Sequence, residues 1–235
     1  MQYLKIKETI LEQIEAGLLI AGQKLPSERS LSETFDTTRV TLREALSLLE
    51  AEAKVFREDR RGWFISPDPL KYDPSTTTNF DTLATNQGRV GRSELISAKL
   101  IPADRQAITL LNVPALSNII NIQRVRYLDG RPVAFVSTLI RPEKMPKLLH
   151  HDVTTSLTDT YKHHYGIIYS TTRYRMSSTS LLGSTAQHLR ATTGTPAMLI
   201  ERLNMDQNGQ IIDCQLEFWR HDAICIESNI ELKLD

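Results

Sequence analysis

The chain has 235 residues, of which 40% are hydrophobic and 24% are charged, the composition of an ordinary globular protein. Its 28 Lys and Arg residues balance 28 Asp and Glu residues, so net charge alone does not indicate a nucleic-acid partner. No apolar run approaches the roughly 18–20 residues that span a bilayer, the first residues lack a secretory-signal pattern, and two cysteines are too few for a disulfide framework. We therefore expect a cytoplasmic protein with no transmembrane helix, metal ion or other cofactor.

The first 66 residues contain the pattern of three helices followed by a β-hairpin. Apolar residues recur at helical spacing over 3–16, and Ser27 is a suitable N-cap for a second helix that ends near Phe35. A third helix is predicted from residue 39 to about residue 53. The run KVFREDRRGWFIS then predicts two short strands joined by a charged turn at Glu58–Arg61. This order of elements is that of a winged helix-turn-helix.

In a winged helix-turn-helix, the second helix of the pair lies in the major groove with its N-terminal residues against the bases. Arg39, Thr41 and Arg43 occupy that first turn, and arginine side chains bind guanine edges or phosphates. The predicted hairpin tip, Arg60-Arg61-Gly62, is placed to reach the adjacent minor groove or the phosphate backbone. These residues are the DNA-binding candidates.

Net charge does not support DNA binding by this segment, so the prediction depends on local patterning. Residues 1–66 contain ten Lys and Arg against eleven Asp and Glu, a net charge of −1. The positive side chains must therefore lie together on one face if the segment binds DNA. Taken singly, each arginine is equally compatible with a solvated helix residue.

Two runs in this region resemble the DNA-binding domain of the GntR family. They are GQKLPSERSLSETFDTTRVTLREALSLLEAE and RRGWFIS, and the resemblance covers nearly all of residues 3–66. It implies that Arg29, Arg39, Thr41 and Arg43 contact operator DNA and that Gly62 lies at the wing tip. The chain departs from the family at Ala53, where glycine is usual. It also departs at the wing, where Arg60-Arg61-Gly62-Trp63 replaces glycine-x-glycine-threonine.

A stretch rich in Pro, Ser, Thr and Asp separates this segment from the rest of the chain and predicts a linker. The expected domains are a winged helix-turn-helix over 1–67, a linker over 68–78 and a second domain over 79–235. In that second domain Asp129-Gly130 and Asn208-Gly209 are hairpin signals. The patterns predict helices over 80–86, 104–111, 157–165 and 187–191, and strands over 95–101, 119–128, 132–139, 168–181, 197–205, 211–219 and 224–226. The fold class is therefore α+β, an antiparallel sheet with packed helices.

The second domain resembles the UTRA effector domain of the HutC branch of GntR regulators, which shares its fold with chorismate lyase. The runs RVRYLDGRPVAF, TSLTDTYKHHYGI and NGQIIDCQLEFWRHD occur in the expected order. The branch commonly ends in arginine-glycine-aspartate, whereas this chain has Arg220-His221-Asp222. UTRA domains typically bind small phosphorylated or acidic metabolites, so the resemblance implies a pocket for an anionic effector.

The resemblance also indicates which residues hold the effector. Arg124 and Arg126 are two apart on one strand, so both face the same way and can converge on one anion. Ser156 and Thr158 begin a helix, where hydroxyls and free amide groups favour a phosphate. The loop 88–94 is expected to form a lid or nest, with Tyr174 covering the pocket and Glu217 binding an amino group. The effector candidates are Arg92, Ser93, Arg124, Arg126, Ser156, Thr158, Tyr174 and Glu217.

The expected function is a homodimeric repressor that binds a palindromic operator and is released by a small anionic metabolite. The wing run VFREDRRGWFISP resembles the branch that regulates phosphonate use, so 2-aminoethylphosphonate is the first candidate, ahead of amino-sugar phosphates and histidine-pathway acids. The alternatives are a chorismate-lyase-like enzyme and a constitutive DNA-binding protein without a ligand. Nothing in the sequence places a general base beside a nucleophile, so we expect no enzyme activity.

Overall fold

The computed structural model describes residues 1–76 and 79–229. The chain divides into two compact units. Unit 1 contains Met1–Lys71, Ser180–Pro196 and Arg220–Ile226. Unit 2 contains Tyr72–Thr179, Ala197–Trp219 and the described residues from Glu227 onward. Residues 77–78 of the predicted linker and residues 230–235 of the predicted second domain lie outside the described residues.

Unit 1 begins with three helices and a hairpin, which confirms the predicted winged helix-turn-helix. Ser27 and Thr38 accept hydrogen bonds from Ser30 N and Thr41 N, so each caps the helix that follows it. Residues from all three helices and both strands form one buried core, including Leu42, Leu46 and Trp63. The elements are α1 (Gln2–Glu15), α2 (Glu28–Thr34), α3 (Arg39–Ala51), β1 (Val55–Glu58) and β2 (Gly62–Ile65).

The helix α3 ends in a turn that places Ala53 in the left-handed region, with φ of 58°. The Ala53 N–H donates to Glu50 O and the Lys54 N–H donates to Leu49 O, the pair of bonds that defines a Schellman C-cap. Glycine is favoured at this position because a Cβ raises the energy of a left-handed residue. The alanine therefore stores strain at the end of α3.

Replacement of Ala53 by glycine relieves this strain, although the more flexible unfolded chain offsets part of the gain. We expect Ala53→Gly to raise the free energy of unfolding by about 0.5–1 kcal/mol. Chemical denaturation monitored by circular dichroism measures the change. Ala51→Gly, at the last residue of α3, is the matched control and should destabilise by up to about 1 kcal/mol. A destabilised Ala53→Gly protein would contradict the strain assignment.

The stretch predicted as a linker contains a short strand, β3 (Leu70–Tyr72). It pairs with β10 (Ile224–Ile226), and the Leu70 N–H donates to Ala223 O. The reason is the alternation of buried Leu70 and Tyr72 with exposed Lys71, a period-two pattern that the proline-rich surroundings obscured.

Unit 2 contains most of a six-stranded sheet with strand order β4-β5-β6-β9-β8-β7. The pairs β4–β5, β5–β6 and β6–β9 are antiparallel. Asp129 and Gly130 both have positive φ, as the predicted tight hairpin requires. The strands are β4 (Gly91–Pro102), β5 (Asn118–Leu128), β6 (Arg131–Ile140), β7 (Tyr169–Ser180), β8 (Pro196–Asp206) and β9 (Ile211–Arg220).

Helices cover both faces of this sheet and produce two separate hydrophobic cores. One core contains Ile120, Ile140 and Tyr161, on the face that packs against α6. The other contains Leu111, Leu139 and Cys214, on the face that packs against α5. The helices are α4 (Phe80–Asn86), α5 (Arg105–Leu111), the 3-10 helix Leu148–His150, α6 (Leu157–Tyr165) and, in unit 1, α7 (Gly183–His188).

Two predicted elements of the second domain differ in the structure. The helix predicted over 187–191 lies earlier, at Gly183–His188, because the turn at Arg190 has φ of 51° and ends it. The lid predicted over 88–94 is also wrong in its second half, because β4 begins at Gly91 and pairs in register with β5. A Cβ at Gly91 would lie 2.9 Å from the Ala84 Cβ, so glycine allows α4 to approach the strand.

Candidate DNA-binding and effector-binding sites

The first turn of α3 presents the predicted reading residues to solvent. Arg39 is exposed and Val40 is 77% exposed, an unusual position for a large apolar side chain. The Thr41 hydroxyl lies 3.0 Å from the Thr38 hydroxyl, inside the N-cap of the helix. Thr41 therefore has a structural partner, while Arg39 and Val40 form the free part of the turn.

Glu28 connects the three elements of the DNA-binding region. Its carboxylate accepts a 2.8 Å hydrogen bond from Arg43 Nε on α3 and a 3.1 Å bond from Trp63 Nε1 on β2. Burial by itself raises the pKa of Glu28, but the hydrogen bonds from Trp63 and Arg43 exceed that effect and the pKa is lowered. Arg43 is therefore both a DNA-binding candidate and a support for the angle between α2 and α3.

The wing tip comprises residues 59–61, and Gly62 follows it as the first residue of β2. Arg60 has φ of 59° and Gly62 has φ of 98°. Arg60 is 92% exposed and lies 3.7 Å from Asp59, and Arg61 donates to Glu58. Arg29 similarly pairs with Glu33 at 3.0 Å on exposed α2. Each of these arginines has a nearby carboxylate, which explains how exposed arginines coexist with a net charge of −1 in this segment.

Sheet register places four predicted effector residues on one face. Paired residues of an antiparallel sheet point the same way, and Arg124 pairs with Val136, which pairs with Glu217. Arg126 pairs with Ser93 on β4. This is the face that packs against α6. Ile120 and Ile122 belong to the core under α6, and they are separated from Arg124 on β5 by an even number of residues, so all three side chains point to the same face.

Arg124 and Arg126 share this face but have different partners. Arg124 Nη2 donates to the Val153 and Thr155 carbonyl oxygens, just before α6. Burial, and then the charge of Arg126, lower the pKa of Arg124. Its buried Nε has no hydrogen-bond partner among the described residues. The surroundings of Arg124 are therefore short of negative charge.

Glu217 is completely buried. Among the described residues it is the only carboxylate that contacts Arg126 and Arg202, the arginines at the centre of this face. Its Oε2 accepts hydrogen bonds of 2.9 Å from Arg126 and 2.8 Å from Trp219, and Arg202 lies 3.5 Å from Oε1. Burial raises the pKa of Glu217, but Arg126 and Arg202 outweigh burial and the pKa is lowered. The ionised carboxylate is thus already compensated by two guanidinium groups.

The remaining predicted effector residues are distributed unevenly. Tyr174 lies beside the cluster, with the Arg202 guanidinium 5.5 Å from its ring centre. Ser156 caps α6 by accepting from Asp159 N, and Thr158 is exposed in the first turn. Arg92 is not brought to the site. Arg92 precedes Ser93 on β4, so its side chain points to the opposite face of the sheet. It pairs with Tyr127 on β5, and its guanidinium carbon lies 4.1 Å from the centre of the Tyr127 ring.

The sequence argument missed four side chains of this cluster. Arg202 approaches Glu217. The ring centres of Phe80 and Trp219 lie 5.3 and 5.7 Å from the guanidinium carbon of Arg126. Tyr72 donates a 3.0 Å hydrogen bond to the Tyr174 hydroxyl. No local pattern distinguishes Arg202 from the adjacent Glu201 on β8, so strand order was needed to place Arg202 next to Glu217.

Comparisons with known proteins agree with both halves of the structure. Residues 2–65 match the profile of bacterial regulatory proteins of the gntR family, and residues 86–224 match the UTRA domain. The uncharacterized HTH-type transcriptional regulator YihL of Escherichia coli is 31% identical over 227 residues, which cover 95% of each chain. The HTH-type transcriptional repressor NagR of Bacillus subtilis is 29% identical over 220 residues, which cover 94% of this chain and 90% of NagR.

A solved structure has the same fold. The crystal structure of PhnF from Mycobacterium smegmatis superposes with a TM-score of 0.67 at 21% sequence identity, and the match covers 97% of this chain and 100% of PhnF. The fold and site thus define a winged helix-turn-helix transcription regulator rather than an enzyme. The chain belongs to the gntR family of bacterial regulatory proteins with a UTRA domain. In the described part of the chain, no helix is both long and apolar enough to cross a membrane.

The lowered pKa of Glu28 predicts a pH-dependent contribution to stability. The ionised form is favoured in the folded state, so its contribution is present above the ordinary pKa of glutamate and is lost as pH falls through the lower folded-state pKa. We expect Glu28→Gln to cost about 0.5–1 kcal/mol at neutral pH, a small value because solvent screens the site. Thermal unfolding at pH 7 and about pH 3 measures this, and the difference from wild type should be smaller in acid.

Glu44→Gln is the matched control for this experiment, because Glu44 is an exposed carboxylate on α3. It should change stability little at either pH. An equal loss of stability for Glu28→Gln at both pH values would show that the charge of Glu28 is not responsible.

Proposed function

We propose that the chain is a ligand-responsive repressor that binds a palindromic operator as a homodimer. Support for DNA reading comes from the exposed first turn of α3, where Arg39 and Val40 project from a capped helix. Arg29, Thr41, Arg43 and the wing residues Arg60, Arg61 and Gly62 are the other proposed operator contacts. A single winged domain of near-neutral charge has weak electrostatic attraction to DNA, so two copies on two half-sites supply the affinity.

We propose that the α6 face of the sheet binds a small anionic effector. The observation that supports this is the charge balance there: Arg126 and Arg202 lie 2.9 and 3.5 Å from one ionised carboxylate, Glu217, while Arg124 on the same face bonds only to backbone carbonyl oxygens. An anion beside Arg124 relieves the repulsion from Arg126 and satisfies the unpartnered Nε. Ser93, Ser156, Thr158 and Tyr174 are the polar residues available to the body of the ligand.

The same balance bears on the identity of the effector. 2-Aminoethylphosphonate has a phosphonate for the arginines and an ammonium for Glu217. However, Glu217 already accepts from Arg126 and Trp219 and lies near Arg202, so an ammonium must displace one of them. Amino-sugar phosphates also have an amino group, together with hydroxyls beside the phosphate. They are the second candidate, ahead of histidine-pathway acids.

The protein has one arrangement that holds the operator and one that does not. Release of DNA requires that the effector bind more tightly to the arrangement that does not hold the operator. A ligand of equal affinity for both arrangements shifts neither. The Arg124 contacts with the Val153 and Thr155 carbonyl oxygens are the bonds that an incoming anion would compete for. Their exchange for ligand contacts would free the segment that precedes α6.

Truncation of Arg39 tests the proposed reading face. We expect Arg39→Ala to weaken binding to an operator selected from a random duplex pool by about tenfold, since one base or phosphate contact contributes about 1–3 kcal/mol. Fluorescence anisotropy at fixed salt measures the affinity. Arg105→Ala, which removes an exposed arginine from α5 in unit 2, is the control and should leave operator binding unchanged. Equal affinities for all three proteins would contradict the proposed face.

Substitution of Arg124 tests the effector site separately from DNA binding. A ligand at about 100 times its Kd stabilises the protein by about 2.7 kcal/mol, so 2-aminoethylphosphonate and glucosamine 6-phosphate are screened by thermal shift. The expected result is a shift with one of them that Arg124→Gln abolishes and Arg92→Gln, on the opposite face, preserves. Both variants should still bind operator. Loss of both ligand and operator binding in folded Arg124→Gln would contradict the two-site proposal.

A further inference from the structure

Both edges of the β1–β2 hairpin are bonded to other segments of unit 1. Along β2, Lys24 forms a β-bridge with Phe64. A Cβ at Gly62 would lie 3.7 Å from Lys24 Cε, so the lysine side chain extends along the hairpin towards the wing tip. Along β1, the Asp59 N–H donates to Arg190 O at 2.8 Å. One basic residue therefore lies beside the wing on each edge.

The backbone that presents Arg190 is held by hydrogen bonds on both sides. Arg190 has φ of 51°, and the Ala191 N–H donates to Ala186 O at 2.9 Å as the chain leaves α7. The preceding carbonyl, Leu189 O, accepts a 3.2 Å bond from the guanidinium of Arg220, which is 1% exposed. The Arg190 side chain itself is exposed. A fixed backbone thus presents a free guanidinium next to the wing.

The wing by itself has no net charge. Residues 58–61 are EDRR, and each of the two arginines has one of the two carboxylates as its ion-pair partner. Lys24 and Arg190 are both exposed, and in the described part of the chain neither forms an ion pair. These two side chains therefore supply the excess of positive charge around the wing.

We propose that Lys24 and Arg190 extend the wing into a phosphate-binding strip, defined by Lys24, Arg60, Arg61 and Arg190, that contacts the backbone of an operator half-site. This inference rests on the proposed binding of operator DNA by the wing. Each strand of duplex DNA has one phosphate about every 3.4 Å along the axis, so a wing at the groove has phosphates on both sides. Cations on the two edges of the hairpin bind phosphates that the tip does not reach.

Arg190 comes from the part of the sequence that matches the UTRA domain, residues 86–224. It lies beside the wing because Ser180–Pro196 belongs to unit 1. In this proposal the operator surface is therefore not confined to residues 2–65, which match the gntR family. A segment outside that match contributes directly to operator affinity.

The salt dependence of operator affinity tests the strip in the full-length chain. Each phosphate contact contributes about 0.9 to the slope of log affinity against log salt, so Lys24→Gln and Arg190→Gln should each lower the slope by about one. That slope corresponds to affinity about fivefold weaker at 0.15 M salt. The loss should be equal on the selected operator and on a scrambled duplex, because phosphate contacts carry no sequence information. Fluorescence anisotropy across a salt series measures both.

Charge-matched variants separate a local contact from the overall charge of the protein. Arg105→Gln removes the same charge from an exposed site in unit 2 and should leave the slope unchanged. Lys24→Arg and Arg190→Lys keep the cation and should keep the wild-type slope. All the substituted side chains are exposed, so thermal midpoints should stay close to that of wild type.

The outcomes distinguish this inference from the proposed function. A wild-type slope for either Lys24→Gln or Arg190→Gln, while Arg39→Ala still weakens operator binding, would overturn the strip and leave operator binding standing. An equal decrease of the slope in Arg105→Gln would also overturn the strip, since the effect would then be that of overall charge. Absence of operator binding by the wild-type protein would overturn both proposals.

Discussion

The buried carboxylate of Glu217 is the interaction around which the α6 face of the sheet is organised. Burial of a lone carboxylate is costly, and here it is offset by hydrogen bonds from Arg126 and Trp219 and by the charge of Arg202. Removal of one partner from such a buried set typically costs about 3–5 kcal/mol, because the other charges remain without compensation. The two arginines exceed the single carboxylate in charge, so the cluster remains attractive to anions. Stability of the sheet and the proposed affinity for an anionic ligand thus depend on the same side chains.

In the proposed function, unit 1 also binds an anion, the DNA backbone, although residues 1–66 have no excess of positive charge. Several of its exposed arginines are paired with carboxylates on the same or a neighbouring element, as in Arg43 with Glu28 and Arg61 with Glu58. The pairs of Arg29 with Glu33 and of Arg60 with Asp59 are exposed on both sides, so they are weak and solvent-screened, and phosphate groups can replace these carboxylates at small cost. The Glu28 contacts with α3 and β2 fix the geometry of the helix pair, whereas the sign of the net charge contributes little.

The strand β9 contains residues that serve both roles. Glu217 and Trp219 belong to the arginine cluster of unit 2, and Arg220 at the end of the strand bonds to β1 within unit 1. His221 follows immediately and reaches the last turn of α3.

The sequence by itself determined the elements whose signals are local. The N-cap at Ser27, the helical spacing of apolar residues and the Asp129-Gly130 turn each depend on neighbours within a few positions, and the structure has them where they were predicted. The i, i+2 spacing likewise placed Arg124 and Arg126 on one face. Tertiary structure alone decided what these side chains meet. Strand order brought Arg202 to Glu217, register turned Arg92 away from Ser93, and β10 converted part of the linker into a strand. The two carbonyl partners of His221 are 171 and 25 residues distant, so no local pattern could reveal them.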